Sequence, residues 1–114
     1  MLLAWRSKEI RDVCASLDGL DRAWPEHADT AKLLLALVAA APELDSLRAL
    51  RSLDVTPSAD ASTENTFSIR IEEIEMIAAA IDERGRSVPF AGTGDFWARV
   101  GGATSLEIIR LSAS

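Results

Sequence analysis

Residues 66–82 read TFSIRIEEIEMIAAAID, the densest apolar stretch of the chain, and its reading decides the fold. Phe67, Ile69 and Ile71 alternate with Ser68, Arg70 and Glu72, the period of a half-buried strand. Ile71, Ile74, Ile77, Ala78 and Ile81 also recur at helical spacing, which leaves Glu72, Glu73, Glu75 and Asp82 for solvent. Strand–turn–strand and strand-then-helix therefore compete over these residues, and the flanking sequence has to decide between them.

Upstream, residues 2–5 are short and apolar and predict a strand. Ser7 follows as a helix N-cap, a side chain that accepts a hydrogen bond from an otherwise unpaired amide. Ile10, Val13, Cys14 and Leu17 then recur at helical spacing, with Gly19 as the expected stop. Residues 21–25 read as a break or a turn inside a helical hairpin. Residues 28–41 predict a strong helix with Ala31, Leu34, Leu35, Val38 and Ala41 on one face, ended by Pro42. Leu44, Leu47, Leu50 and Leu53 form a further apolar edge, and residues 56–65, TPSADASTEN, read as an exposed loop. Downstream, the glycines and the proline of residues 82–95 predict a loop. Phe96 and Trp97 open a short element reaching Val100, and Gly101-Gly102 is a turn. Leu106 and Ile108 alternate with Glu107, with Ile109 and Leu111 on the other side, so residues 106–111 predict a last strand buried on both faces.

Composition narrows the function. The 114 residues form one domain (1–114), and nearly half of them are apolar, enough to fold around a core. Net charge is −6, with only Lys8 and Lys32 as lysines, which disfavours general attraction to a polyanion. The ten arginines still leave room for a local basic patch. Cys14 is the single cysteine, so no intramolecular disulfide forms and a reducing compartment fits. No apolar run approaches the roughly 20 residues of a membrane span. Residues 1–5 meet Arg6 and Lys8 too early for a signal-peptide core. The expectation is a soluble cytoplasmic protein.

The order strand, two helices, polar loop, central stretch, loop, Trp and last strand resembles the RelE/HigB-like toxins of bacterial type II toxin–antitoxin modules, in the RelE/ParE superfamily. The resembling segments are Ser7-Lys8 with Ile10, Val13 and Cys14; Ala23-Trp24; Leu44-Asp45-Ser46-Leu47; Phe67-Ser68-Ile69-Arg70-Ile71; Trp97 with Val100; and Leu106-Glu107-Ile108-Ile109. They spread over nearly the whole chain, and only their order and spacing together carry the likeness. The resemblance implies an α+β fold: an N-terminal strand, two packed helices, and a small twisted, mostly antiparallel sheet of three to five strands. It also implies that the central stretch is a hairpin turning near residues 72–74, although no Gly or Asn marks that turn.

The resemblance further implies a toxin of mRNA-endonuclease lineage, with an antitoxin-like protein partner and the ribosome or mRNA as target. A homodimer is a further association to weigh. In that family the 2′-hydroxyl attacks the adjacent phosphate, which needs a base, an acid and cations on the phosphate. The matching positions here are largely empty. Residues 55–60, VTPSAD, carry no basic residue. Glu75 and Met76 stand where the second hairpin strand would carry an arginine, and residues 112–114 are Ser-Ala-Ser in a chain without tyrosine. Arg70 is the one central arginine that matches and the one catalytic candidate, and a cross-strand pair with Glu72 or Glu75 is the competing reading. Ribonuclease activity is therefore expected to be weakened or lost, the alternative function being a non-catalytic protein-binding domain on the same scaffold.

The remaining candidates read as structural. His27 alone makes no metal cluster and suits a solvent or capping role. Cys14 on an apolar helix face reads as a buried, inert thiol. Ala91-Gly92-Thr93-Gly94 lacks the Lys of a phosphate cradle and reads as a turn. Arg48, Arg51, Arg84, Arg86 and Arg99 have acidic neighbours and read as mixed surface, although in an active toxin Arg84, Arg86 or Arg99 would join Arg70 on phosphate. Glu72, Glu73 and Glu75 read as an exposed charge run, so no metal and no cofactor is expected.

Overall fold

The computed structural model describes residues 1–16, 18–58, 65–90 and 94–113. Its architecture is α+β, with helices packed on a five-stranded mixed sheet of order β1-β5-β4-β3-β2. The strands are β1 (Leu2–Trp5), β2 (Asp54–Pro57), β3 (Thr66–Ile71), β4 (Ile74–Ala80) and β5 (Ser105–Ala113). The β2–β3, β3–β4 and β4–β5 pairings are antiparallel, and β1 lies parallel to β5 at the sheet edge. The helices are α1 (Lys8–Ala15), α2 (Gly19–Ala23), α3 (Ala28–Ala40) and α4 (Phe96–Val100), with a 3-10 turn at Leu44–Ala49.

The central stretch is a hairpin. Ile71 pairs with Ile74 around a two-residue turn, and the register continues through Ile69 opposite Met76 and Phe67 opposite Ala78. The turn forms without glycine because Glu72 takes the left-handed conformation, φ 51°. The strand period decides against a helix because alternation buries Phe67, Ile69, Ile71, Ile74, Met76 and Ala78 on a single face. That face continues on β5 through Leu106, Ile108 and Leu111.

A bulge in β5 explains Leu111. Ile77 pairs with Arg110 and Ala78 with Ile108, so Ile109 is the extra residue and Leu111 returns to the core side opposite Met76. The expectation that the last strand is buried on both faces is thereby corrected: Arg110 is exposed and Glu107 only half-buried. An edge-adjacent strand with one face on the core leaves the other available for charge.

Helix α3 buries Ala28, Ala31, Leu34 and Val38 against this sheet, while Leu35 is only partly covered. The leucines at 44 and 47 are fully buried from one side of the 3-10 turn, where a three-residue repeat matches i, i+3 spacing. Amides of Leu44 and Asp45 donate to the carbonyls of Ala103 (2.9 Å) and Gly101 (2.7 Å), tying this turn to the segment after α4. Across it, the Arg48 guanidinium lies 4.7 Å from the Trp97 ring centroid.

Three further expectations are corrected. Gly19 opens α2 instead of ending α1, and residues 21–25 are half helix. A Cβ on Gly19 would meet the carbonyl oxygens of Val13 and Asp12, so the glycine permits the close reversal between the two helices. Thr56 and Pro57 belong to strand β2 instead of a loop. Pro57 is tolerated because β2 is an edge strand with one side free of the ladder. His27 occupies the α3 N-cap position, yet its side chain makes no capping hydrogen bond. Ser7 caps α1 as its sequence predicts, accepting from the Ile10 amide at 3.2 Å. Leu17, most of the polar loop (59–64) and residues 91–93 of the small glycine loop lie outside the described residues.

Candidate functional site

The face of the sheet turned away from α3 carries two cross-strand rows. One runs Thr56, Ser68, Ile77, Arg110; the other runs Asp54, Arg70, Glu75, Ser112. Arg70 therefore stands between carboxylates on both neighbouring strands. Glu75 is further engaged, accepting from Ser68 Oγ at 2.9 Å. At the edge of the same face Arg6 donates to Glu107 at 2.7 Å. Positive and negative side chains alternate across this surface, so it offers no cationic field to draw in a phosphate backbone. Both lysines lie on helices and not on this face: Lys8 opens α1, and Lys32 on α3 is paired with Asp21 at 3.0 Å.

A second cluster lies at the other end of the sheet, where β4 runs out and β5 begins. An open groove of about 710 Å³ there is lined by Arg84, Arg86 and Arg99, with Asp82, Thr104 and Ser105. The distance from Arg70 follows from the register. Arg70 is opposite Glu75, and Ile81 at the groove lies six residues further along; at roughly 3.3 Å per residue the two are about 20 Å apart. Arg70 and the groove that carries Arg84, Arg86 and Arg99 thus lie towards opposite ends of β4.

The remaining candidates are dispersed. Cys14 is partly buried beside an apolar pocket of about 160 Å³ lined by Ile10, Val13, Trp24 and Leu111, and burial pushes its thiol up from 9.0 to about 11. A raised thiol pKa opposes nucleophilic chemistry. His27 Nδ1 lies 4.0 Å from Glu73 at the hairpin turn, and Thr30 Oγ1 donates to Glu72 at 3.4 Å. Glu72 and Glu73 thus lean on the first turn of α3, where negative charge is favoured, and do not form a metal site. Among the described residues no group of three His, Cys, Asp or Glu side chains is placed to hold a metal ion. Within the same residues no helix is long and apolar enough to cross a membrane.

Of the five arginines that the sequence left as a mixed surface or a gathered patch, Arg84, Arg86 and Arg99 line this groove and Arg48 and Arg51 do not. The Asp82-to-Arg86 segment announces a glycine turn carrying two arginines, but the third arrives through the packing of α4. No protein-family model, curated protein or solved structure matches this chain.

Proposed function

We propose that this chain is a cytoplasmic protein of RelE/HigB-like toxin lineage that has lost its mRNA-cleaving chemistry and acts as a protein-binding domain. The observation that carries this reading is the placement of Arg70 between Asp54 and Glu75, with Ile81 at the arginine groove about 20 Å further along the sheet (six residues at roughly 3.3 Å each). Cleavage through a 2′-hydroxyl needs cations gathered on one phosphate, and here the family-matched arginine is locally neutralised. The parallel pairing of the first strand with the last, and the central hairpin, are compatible with the proposed scaffold. Apolar surface supports a protein partner. Leu2 on the edge strand is 75% exposed and Leu33 on α3 is 49% exposed, and no residue of α1 is fully buried. An antitoxin-like chain is the partner proposed, with self-association into a homodimer as the competitor.

The test is expression from a tight inducible promoter in bacteria, following growth and messenger RNA ends beside an Arg70→Ala control. Normal growth with intact transcripts, from protein shown to be folded, is the expected result. Growth arrest with new cleavage ends that disappear in the control would overturn the reading.

A further inference from the structure

The arginine groove has a role that does not rest on the lineage proposed above. We propose that the groove between the turn after β4 and the α4–β5 connection binds a compact phosphomonoester, whose phosphate is held by Arg84, Arg86 and Arg99.

The turn that carries two of these arginines is fixed by its own hydrogen bonds. Asp82 Oδ1 accepts from the amides of Arg84 (2.9 Å) and Arg86 (3.0 Å). The Asp82 amide donates to the Arg86 carbonyl, and the Asp82 carbonyl accepts from the Gly85 amide, both at 2.9 Å. Gly85 completes the turn at φ 77°, a conformation that glycine adopts without strain. The Asp82 carboxylate is thus turned onto its own backbone, and the flanking guanidinium groups are displayed on a closed loop. Among the described residues neither Arg84 nor Arg86 has an ion-pair partner, and both are exposed. Arg99 reaches the groove from α4, where it pairs with the half-exposed Asp95 at 3.6 Å.

The charge in the lining is positive where the chain as a whole is −6. Three arginines face two carboxylates, Asp82 and Glu83, and one of these is engaged by the turn. Guanidinium forks match the paired oxygens of a phosphate, and the hydroxyls of Thr104 and Ser105 on the opposite wall supply neutral donors. The same lining argues against a nucleic-acid strand. Among the described residues it contains no aromatic side chain on which a base could stack, and the net charge of −6 disfavours a polyanion. A single phosphate on a small polar body fits both the local charge and the open volume.

Amide chemical-shift titration of the full chain at low ionic strength tests this, with glycerol 3-phosphate, inorganic phosphate and a single-stranded oligonucleotide as probes. Glycerol 3-phosphate should give saturable shifts confined to residues 82–86 and 98–105, at lower concentration than inorganic phosphate. R84Q/R86Q should weaken it by about tenfold, the loss of two charge-assisted contacts on an exposed site, while R51Q leaves it unchanged. R99Q, on the other wall, carries the same expected loss if the double variant is not folded. Shifts that scatter over the surface, fail to saturate, or weaken equally in R51Q would overturn the site. Equal affinity for inorganic phosphate would overturn the monoester, and tighter binding of the oligonucleotide would overturn the compact ligand.

Discussion

Arg70 and Glu75 stand directly opposite each other on β3 and β4, and Glu75 also accepts from Ser68 Oγ at 2.9 Å. Glu75 therefore links the polar rows of the open sheet face, and its partner arginine is a component of the sheet before it is a candidate ligand. A double-mutant cycle over Arg70→Ala and Glu75→Ala should give a coupling of about 0.3–0.8 kcal/mol in urea unfolding, the range of an exposed cross-strand ion pair. Zero coupling would mean that Arg70 is not held by Glu75. Glu75→Ala alone should cost more than Arg70→Ala, because it also leaves the buried Ser68 hydroxyl without its acceptor.

Phe96 is fully buried and meets three rings edge-on, Phe67 at 5.2 Å, Phe90 at 4.9 Å and Trp97 at 5.1 Å between centroids. It joins α4 to the central hairpin and so fixes the wall from which Arg99 enters the groove. Phe96→Ala should destabilise the fold by about 3–5 kcal/mol, the combined loss of burial and creation of a cavity. Phe96→Leu should cost markedly less. The urea midpoints of the two variants check this, with equal losses counting against a packed aromatic cluster.

The hairpin turn carries a local backbone strain. Glu72 adopts φ 51°, where a side chain costs roughly 1 kcal/mol relative to glycine. Its carboxylate recovers part of this through Thr30, across an exposed and long 3.4 Å hydrogen bond. Glu72→Gly is therefore expected to raise stability by about 0.5 kcal/mol, and Glu72→Val to lower it, since a β-branched side chain resists the left-handed region. A destabilised glycine variant would show that the contact with α3 outweighs the backbone term.

How much of this was legible follows from the kind of signal each element emits. Strand β3, α3 and the 3-10 turn bury one face each, so periodicity in Phe67, Ile69, Leu34, Val38, Leu44 and Leu47 exposes them directly, whereas β4 stayed open because Ile74, Ile77, Ala78 and Ile81 also fit helical spacing. Strand β2 was hidden because a four-residue edge strand buries little and ends in Pro57, a residue that reads as loop. The bulge at Ile109 was hidden for a different reason: it is dictated by the partner strand, and a one-residue shift leaves the alternation of β5 itself unmarked. For Arg70 the cross-strand neighbour Glu75 was legible as one of two candidates, whereas Asp54 was not, because it lies on the hidden strand β2. The groove shows the same limit. The turn at Gly85 can be read locally, whereas its meeting with Arg99 depends on where Phe96 packs.

Cys14 gives a prediction that reports on the least covered helix. Its thiol borders the apolar pocket between α1, Trp24 and β5, and burial raises its pKa from 9.0 to about 11. At pH 8 the folded chain then holds far less thiolate than a free cysteine. Alkylation by iodoacetamide should be slower by about a hundredfold and accelerate steadily as pH approaches 11. The stability consequence has a definite sign. The folded state retains the thiol proton where the unfolded state has lost it, so stability is unaffected below pH 9 and falls as pH rises from 9 towards 11. Cys14→Ala should remove that alkaline contribution. Alkylation at the free-cysteine rate at pH 8 would instead show that α1 swings away from β5 in solution. That motion would open the pocket beside Trp24 and leave the apolar face of α1 free for the protein partner proposed above.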